Sequence, residues 1–277
     1  MKKIALLGDV LEDIYYYGNR QGFSNEDPEC PKFVVDRVSK ESGGARNVLD
    51  QINEYGHSAF FYFFEDRKIR SKKVRLINKK NEHIVRLDLN YDEVNEINKN
   101  KYHDSVKRFI SQNINAWVIS DYNHGSITKE KLHLIGNRIT SNQLSFINTR
   151  RPEVMEKWNL GFKFDYLFMN QTEAYKTKDI YSFAKNVIVT QGKYGLMFYR
   201  SRYFEPSNFS NEYNEAPISV TGAGDTVFAS FISAKLRGCS DINSAKIANK
   251  MGNLKVSLEG TKFPSRDKFN SIVQDYT

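Results

Sequence analysis

Thr221-Gly222-Ala223-Gly224-Asp225 combines an anion-binding turn and a carboxylate within five residues. The glycines on either side of Ala223 let the backbone fold tightly, so that amide N–H groups along Gly222, Ala223 and Gly224 converge on one point. A helix starting here adds the positive end of its dipole to that point. A transferring phosphoryl group needs such a cradle. Asp225, in the first helical turn, is then placed to take a proton from an attacking hydroxyl a few ångströms away. The same five residues also suit an ordinary helix start, because Asp is common at helix N-termini.

The elements that would position this turn follow from periodicity. Val227, Phe228, Phe231 and Ile232 share one face of the expected helix, and Gly238 supplies a left-handed cap. Short apolar runs read as buried strands that end in polar residues: Ile4 to Leu7 before Gly8-Asp9, Trp117 to Ile119 before Ser120-Asp121, and Phe146-Ile147 before Asn148. Tyr166 to Met169 before Asn170, and Val187 to Val189 before Thr190-Gln191, repeat the pattern. Ligands of an open parallel sheet bind beyond the carboxyl ends of its strands, where these polar groups would stand. A helix is expected over Ala45 to Tyr55, with Val48, Leu49, Ile52 and Tyr55 on one face and Gly56 just beyond. The alternation predicts an α/β fold with a doubly wound, mostly parallel sheet flanked by helices.

Two stretches break that alternation. Residues 14–38 carry Tyr15-Tyr16-Tyr17 and Phe33-Val34-Val35 around a polar segment with Pro28 and Pro31. Residues 72–89 alternate as Lys73-Val74-Arg75-Leu76-Ile77 and His83 to Asp88, with a hairpin turn over Asn78 to Asn81. Both predict a small antiparallel sheet. It would serve as a lid that excludes water, or as an ordinary hairpin packed on the core. The expectation is a single domain, 1–277, with lid segments at about 14–38 and 72–89.

The chain has 277 residues, 40% of them apolar, and a formal net charge of +8 from 41 Lys and Arg against 33 Asp and Glu. This excess suits anionic small molecules. With no long basic block and no zinc-finger spacing, nucleic acid is not an expected partner. Cys30 and Cys239 fit no metal or redox spacing and read as free thiols. No apolar stretch approaches the ~20 residues of a membrane span, and Asp9 ends the first apolar run too early for a secretion signal. A cytoplasmic protein without a membrane partner is expected.

Ser42-Gly43-Gly44-Ala45-Arg46-Asn47 offers a second close-approach turn before the first helix. Together with Gly222 to Asp225 it resembles the paired motifs of the PfkB/ribokinase family of carbohydrate kinases, over roughly Ile4 to Pro264. The resemblance implies a ribokinase-like fold, ATP and Mg2+ as cofactors, and a homodimer formed through the lid. It implies that Gly43, Gly44 and Asn47 hold the sugar, and that Asn170 and Glu173, as Asn-x-x-Glu, orient magnesium-bound water. Thr190, Gly192 and Gly195, with Thr221 and Asn249, would lie beside the nucleotide. Within the family, Gly8-Asp9 to Asp13, Tyr15-Tyr16-Tyr17-Gly18, Ser24 to Pro28, Lys73-Val74-Arg75, Arg86-Leu87-Asp88 and Ser120-Asp121-Tyr122 resemble kinases that phosphorylate D-glycero-D-manno-heptose 7-phosphate at C1. By that likeness Asp9, Asp13 and Asp121 would join the substrate site, and Lys73, Arg75 and Arg86 would receive the 7-phosphate. Such enzymes often carry an attached nucleotidyltransferase domain, and a chain ending at Thr277 is expected to be the kinase alone.

This sequence departs from the family pattern in three places. Residues 57–64 lead almost directly to the lid strand near Lys73, where the family usually inserts a further helix and strand. Ser219 stands where many members have Asp near the monovalent-cation site, which argues against potassium activation. Asn148 and Arg150 replace the Asp and Lys common in the heptose group. Two rival readings follow: a kinase of another sugar or sugar phosphate, and a non-catalytic ligand-binding protein on the same scaffold.

Overall fold

The fold was obtained as a computed structural model that describes residues 1–62, 67–90, 113–211 and 216–276. Its first part runs β1 (Lys3–Gly8), β2 (Val10–Phe23), β3 (Pro31–Gly44), α1 (Ala45–Glu54), β4 (Ser58–Phe61), β5 (Ile69–Ile77) and β6 (His83–Asn90). The middle runs β7 (Ala116–Asp121), α2 (Lys129–Gly136), β8 (Leu144–Thr149), α3 (Pro152–Met155), β9 (Phe164–Asn170), α4 (Gln171–Lys176) and β10 (Ala184–Thr190). Strands β11 (Leu196–Arg200) and β12 (Ser207–Phe209) then precede helices α5 (Ala223–Leu236), α6 (Asp241–Lys255) and α7 (Arg266–Gln274).

Eight strands form one sheet in the order β12-β11-β10-β9-β8-β7-β1-β4. It is parallel from β4 to β10, and β11 pairs antiparallel with both β10 and β12. The apolar runs are continuous because both faces are covered. Ile4 and Leu6, Ala116 and Val118, Phe146, Tyr166 and Phe168 pack into one core with α1, α5, α6 and α7. Their neighbours Ala5, Leu7, Trp117, Ile119, Ile147, Leu167 and Met169 fill the other, which includes Leu132 and Ile135 of α2 and Met155 of α3. The chain winds outward in opposite directions from β1, so a crevice opens beyond β1 and β7. Both cysteines are free, Cys30 exposed and Cys239 buried.

Helix α5 differs from its amphipathic expectation. Every residue from Asp225 to Ala234 is buried, because the helix lies between the sheet and its sister helices. Phe231 meets Tyr166 and Phe168 at ring-centroid distances of 5.1 and 5.2 Å, both edge-on.

The second sheet, β3-β2-β5-β6, consists of two antiparallel hairpins, as the sequence pattern implies, joined by parallel pairing of β2 with β5. Its strands begin and end well beyond the expected segments, since β2 leaves the large sheet directly at Val10 and β3 runs into α1 at Gly44. The chain reaches the lid from α1 through the short edge strand β4. The end of that connection, residues 63–66, lies outside the described residues. Among the described residues no helix is long and apolar enough to cross a membrane.

Phe231→Ala, which empties the centre of the aromatic cluster, is expected to cost about 3–5 kcal/mol of stability, measured as a lower urea midpoint at unchanged slope.

Candidate active site

Asp225 enters the first turn of α5 after Gly222, whose φ of +79° reverses the chain. Only glycine adopts this conformation without steric cost. Ala223 donates its amide to the Val220 carbonyl at 3.2 Å. The first-turn amides of Gly224 and Asp225 are the ones that helix geometry leaves without an i−4 acceptor.

The Asp225 carboxylate is 5% exposed and is held from two sides. Asn47 Nδ2 donates to Oδ2 at 2.9 Å, and the Tyr122 hydroxyl donates to Oδ1. Asn47 is fixed in turn by Gln51 Nε2 at 3.2 Å, and the Tyr55 hydroxyl donates to Gln51 Oε1 at 3.4 Å. These three residues recur every fourth position from α1 to its C-terminal cap at Tyr55 and so stack on one helix face. Burial raises the carboxyl pKa, while the Tyr122 and Asn47 hydrogen bonds and the Arg150 charge oppose that rise. Tyr122 titrates far above the usual phenol range, from burial and then the Asp225 charge, so it stays a donor.

A cleft of about 250 Å³ opens over this carboxylate. Its floor is Thr221, Gly222, Gly224 and Asp225, and its roof is the lid, with Asp13, Lys73, Arg75 and Arg86. Lys73 and Arg75 are two apart on β5 and share a face, and Arg86 of β6 lies opposite Arg75. Arg75 is ion-paired with Asp13, while Arg86 grips Asp88 through two bonds of 2.8 Å. Burial lowers the Lys73 pKa; the Asp13 charge opposes this, and Arg86, Arg150 and Arg75 lower it further. Gly43 is required here, because a side chain at that position would collide with the Asp13 carboxylate.

A larger cavity of about 550 Å³ lies across the turn. Asn170, Thr190, Gly192, Gly195 and Asn249 line it, together with Ala223 and Gly224. Gly224, Val220 and Arg150 border both cavities, so the two spaces meet at the start of α5.

A sequence profile of the pfkB family carbohydrate kinases matches residues 63–268. The chain belongs to this family. Among curated relatives, it is 27% identical to the bifunctional protein HldE of Helicobacter acinonychis (strain Sheeba) and 28% identical to that of Helicobacter pylori (strain HPAG1). Each alignment covers 94% of this chain but 65% of the relative's length. Escherichia coli phosphofructokinase-2 in complex with substrates and products superimposes with a TM-score of 0.73 at 15% identity, covering 100% of this chain and 99% of that one. The same enzyme in complex with potassium gives 0.70 at 14% identity, with 99% of each chain covered. Arabidopsis thaliana ribokinase complexed with ribose and ATP gives 0.66 at 14% identity, covering 99% of this chain and 98% of that one. The fold is ribokinase-like.

Within this carbohydrate kinase, several residues expected at the substrate lie elsewhere. Asp9 is fully buried and accepts the backbone amides of Tyr122, His124 and Ser126 at 2.8, 3.1 and 2.8 Å, which shapes the loop that carries Tyr122. Asp121 is spent on Arg151, at 3.0 and 3.2 Å, and on the Thr149 hydroxyl. Asn47 holds Asp225 and does not line the cleft, whereas Gly44 does. Thr221 borders the lid-side cleft instead of the larger cavity. Glu173 is buried in a capping box with Asn170 and takes Arg150 Nη1 at 3.0 Å. Among the described residues no group of three or more His, Cys, Asp or Glu could hold a metal ion.

Sequence reasoning missed Gln51, Tyr122 and Arg150 as members of this constellation. The four-residue spacing of Asn47, Gln51 and Tyr55 was a usable signal for the first. Tyr122 and Arg150 stood out only within the family pattern, in Ser120-Asp121-Tyr122 and as a replacement beside Asn148, because only the loop path brings them to Asp225.

Because burial favours the protonated acid, the folded Asp225 carboxyl titrates above its ordinary 3.8. The resulting penalty is absent below that value, grows as pH rises, and is complete above the folded pKa. Asp225→Asn is therefore expected to raise the melting temperature at pH 8 by about 2–4 °C. The gain should vanish in melts recorded near pH 4.

Proposed function

We propose that the protein is an ATP-dependent sugar-phosphate kinase that phosphorylates C1 of D-glycero-D-manno-heptose 7-phosphate. One observation carries this reading: a larger cavity, with Arg150 and Lys193 in its lining, and a cation-rimmed cleft meet at a helix N-terminus that bears a buried carboxylate. The nucleotide occupies the larger space, with Asn170, Thr190, Gly192, Gly195 and Asn249 around it. The sugar lies in the lid-side cleft beside Asp13 and Gly44.

Asp225 is the base. The attacking hydroxyl replaces Tyr122 as donor to Oδ1, while Asn47 keeps Oδ2 in place. The Gly224 and Asp225 amides face the phosphoryl group in flight, and Arg150, on the border of both spaces, neutralises its charge. Magnesium suits this donor set as an ion carried by the nucleotide's phosphates, reached through water from Asn170 and Glu173, and it would supply charge neutralisation. Lys73, Arg75 and Arg86 form the receptor for the distal phosphate. Asp13 and Asp88 already pair with Arg75 and Arg86, so an incoming phosphate relieves chiefly Lys73, whose pKa burial and the neighbouring arginines lower.

The HldE matches across 94% of the chain support the heptose assignment. The diversion of Asp9 and Asp121 to structural bonds favours the second reading, a kinase of another sugar phosphate, because two hydroxyl contacts of the heptose group are then unavailable. A coupled ADP assay over a panel of sugar phosphates decides between them. The heptose reading expects signal with heptose 7-phosphate, and silence there with signal from a hexose phosphate refutes it. Asp225→Asn is expected to bind ATP while losing about 10²–10⁴-fold in turnover; full activity would exclude Asp225 as base.

The lid also supports dimerisation. Val38, Tyr16, Leu76 and Val85 stand in register across its four strands, and Val38, Val85, Leu87 and Leu89 are exposed. A continuous apolar face on an open sheet needs a cover. Sedimentation should give a dimer for the wild type and a monomer for Leu87→Glu; a monomeric wild type would refute the interface.

A further inference from the structure

Lys255 is a buried charge that the reaction above does not use. It lies in the last turn of α6 with no exposed surface. Its ammonium bonds to two backbone carbonyls, Ser219 O at 3.3 Å and Leu258 O at 3.2 Å. Removing an ammonium from water is expensive, and two carbonyl dipoles repay little of that cost. Burial accordingly lowers its pKa to about 8, while the charges of Glu41 on β3 and Asp225 on α5 hold it up.

The position explains why the cost is tolerated. A side-chain carbon at Gly222 would stand 3.6 Å from Lys255 Cε, so the lysine lies directly beneath the anion-binding turn. Ser219 begins the approach to that turn, and its amide and that of Ile218 both donate to Val256 O. On the other side, Thr261 closes the loop that follows α6 by bonding Glu41 and the Ser42 carbonyl. The ammonium thus joins the segment entering the turn to the loop behind it, within reach of the charges of half-buried Glu41 and buried Asp225.

Backbone carbonyls converging on one unhydrated positive charge are the chemistry by which proteins hold monovalent cations. Here Ser219 contributes a carbonyl and a hydroxyl but no carboxylate, and its hydroxyl is turned to the Gly260 carbonyl at 3.3 Å. The residues therefore do not fit a potassium ion in addition to the lysine. We propose that the Lys255 ammonium is a built-in monovalent cation that fixes the anion-binding turn, so that this kinase works without potassium. The proposal rests on the turn receiving the transferred phosphate. Lys255 is a positioning residue, since it reaches the phosphate only through the turn.

The test compares potassium, ammonium and tetramethylammonium chlorides at equal ionic strength, using the full chain. Wild-type turnover and melting temperature are expected to be the same in all three. Lys255→Ala should lose at least about tenfold in turnover in tetramethylammonium, and both its turnover and its melting temperature should recover in potassium or ammonium. A lysine that only fills space would show no such selectivity between small and bulky cations. Severalfold stimulation of the wild type by potassium overturns the proposal. So does a Lys255→Ala variant as active as wild type in tetramethylammonium, or one that is folded yet impaired in every salt. If the alanine variant does not fold, Lys255→Met keeps the volume without the charge; the proposal expects low turnover in every salt, and wild-type activity would overturn it. The melting measurements need no sugar, so they decide the cation question even if every candidate sugar phosphate fails to react.

Discussion

A carboxylate that is almost wholly removed from water has to be paired, hydrogen-bonded or protonated, and Asp225 sets this condition on two distant parts of the chain and on its own helix. Its partners come from α1, through Asn47, and from the loop after β7, through Tyr122. The helix dipole supplies the third contribution. Each support is itself braced. Gln51 and Tyr55 back Asn47 along one face of α1, and Asp9 fixes the Tyr122 loop by filling its own carboxylate with three amides. The fully buried α5 gives this arrangement a rigid base, because a helix packed on all sides has few ways to tilt.

Around that carboxylate the charges are arranged in layers. The lid brings Lys73, Arg75 and Arg86 over one end of the cleft, Arg150 stands between the two cavities, and Lys255 lies behind the turn. The +8 excess of the whole chain says nothing about such placement, since most of those side chains are solvated. At the cleft, burial lowers the proton affinity of Lys73, and the charges of Arg86, Arg150 and Arg75 lower it further against the opposing charge of Asp13. The repulsion from the arginines is relieved when an anion enters.

Much of the fold was legible in the residues. The apolar runs ending in polar residues located β1, β7, β8, β9 and β10, because a strand buried on both faces must be apolar throughout and its rim must face solvent or ligand. The alternation at Lys73 to Ile77 and His83 to Asp88 likewise marked the hairpin of β5 and β6. The parallel pairing of β2 with β5 left no such mark, since strand pairing between segments some sixty residues apart leaves no local periodicity. The burial of α5 on all sides was equally hidden. Its Ser and Ala positions lie outside the face of Val227, Phe228, Phe231 and Ile232, yet small residues are what close helix packing uses.

The sequence by itself determined the parts whose chemistry is local: the tight turn at Gly222 to Gly224, the acidic residue in the first helical turn, the capping pair Asn170 and Glu173, and the alternating basic strand. Backbone conformation and side-chain type fix these within a few residues. Only the tertiary structure decided which polar groups spend their bonding capacity on the fold and which remain free for a ligand. Asp9 and Asp121 look like sugar-binding residues in the chain and are consumed by a loop and by Arg151, whereas Tyr122, Gln51 and Lys255 gain their places through contacts between segments far apart in sequence. A hydrogen-bonding group has a fixed number of partners, and their identity depends on neighbours that folding alone brings within reach.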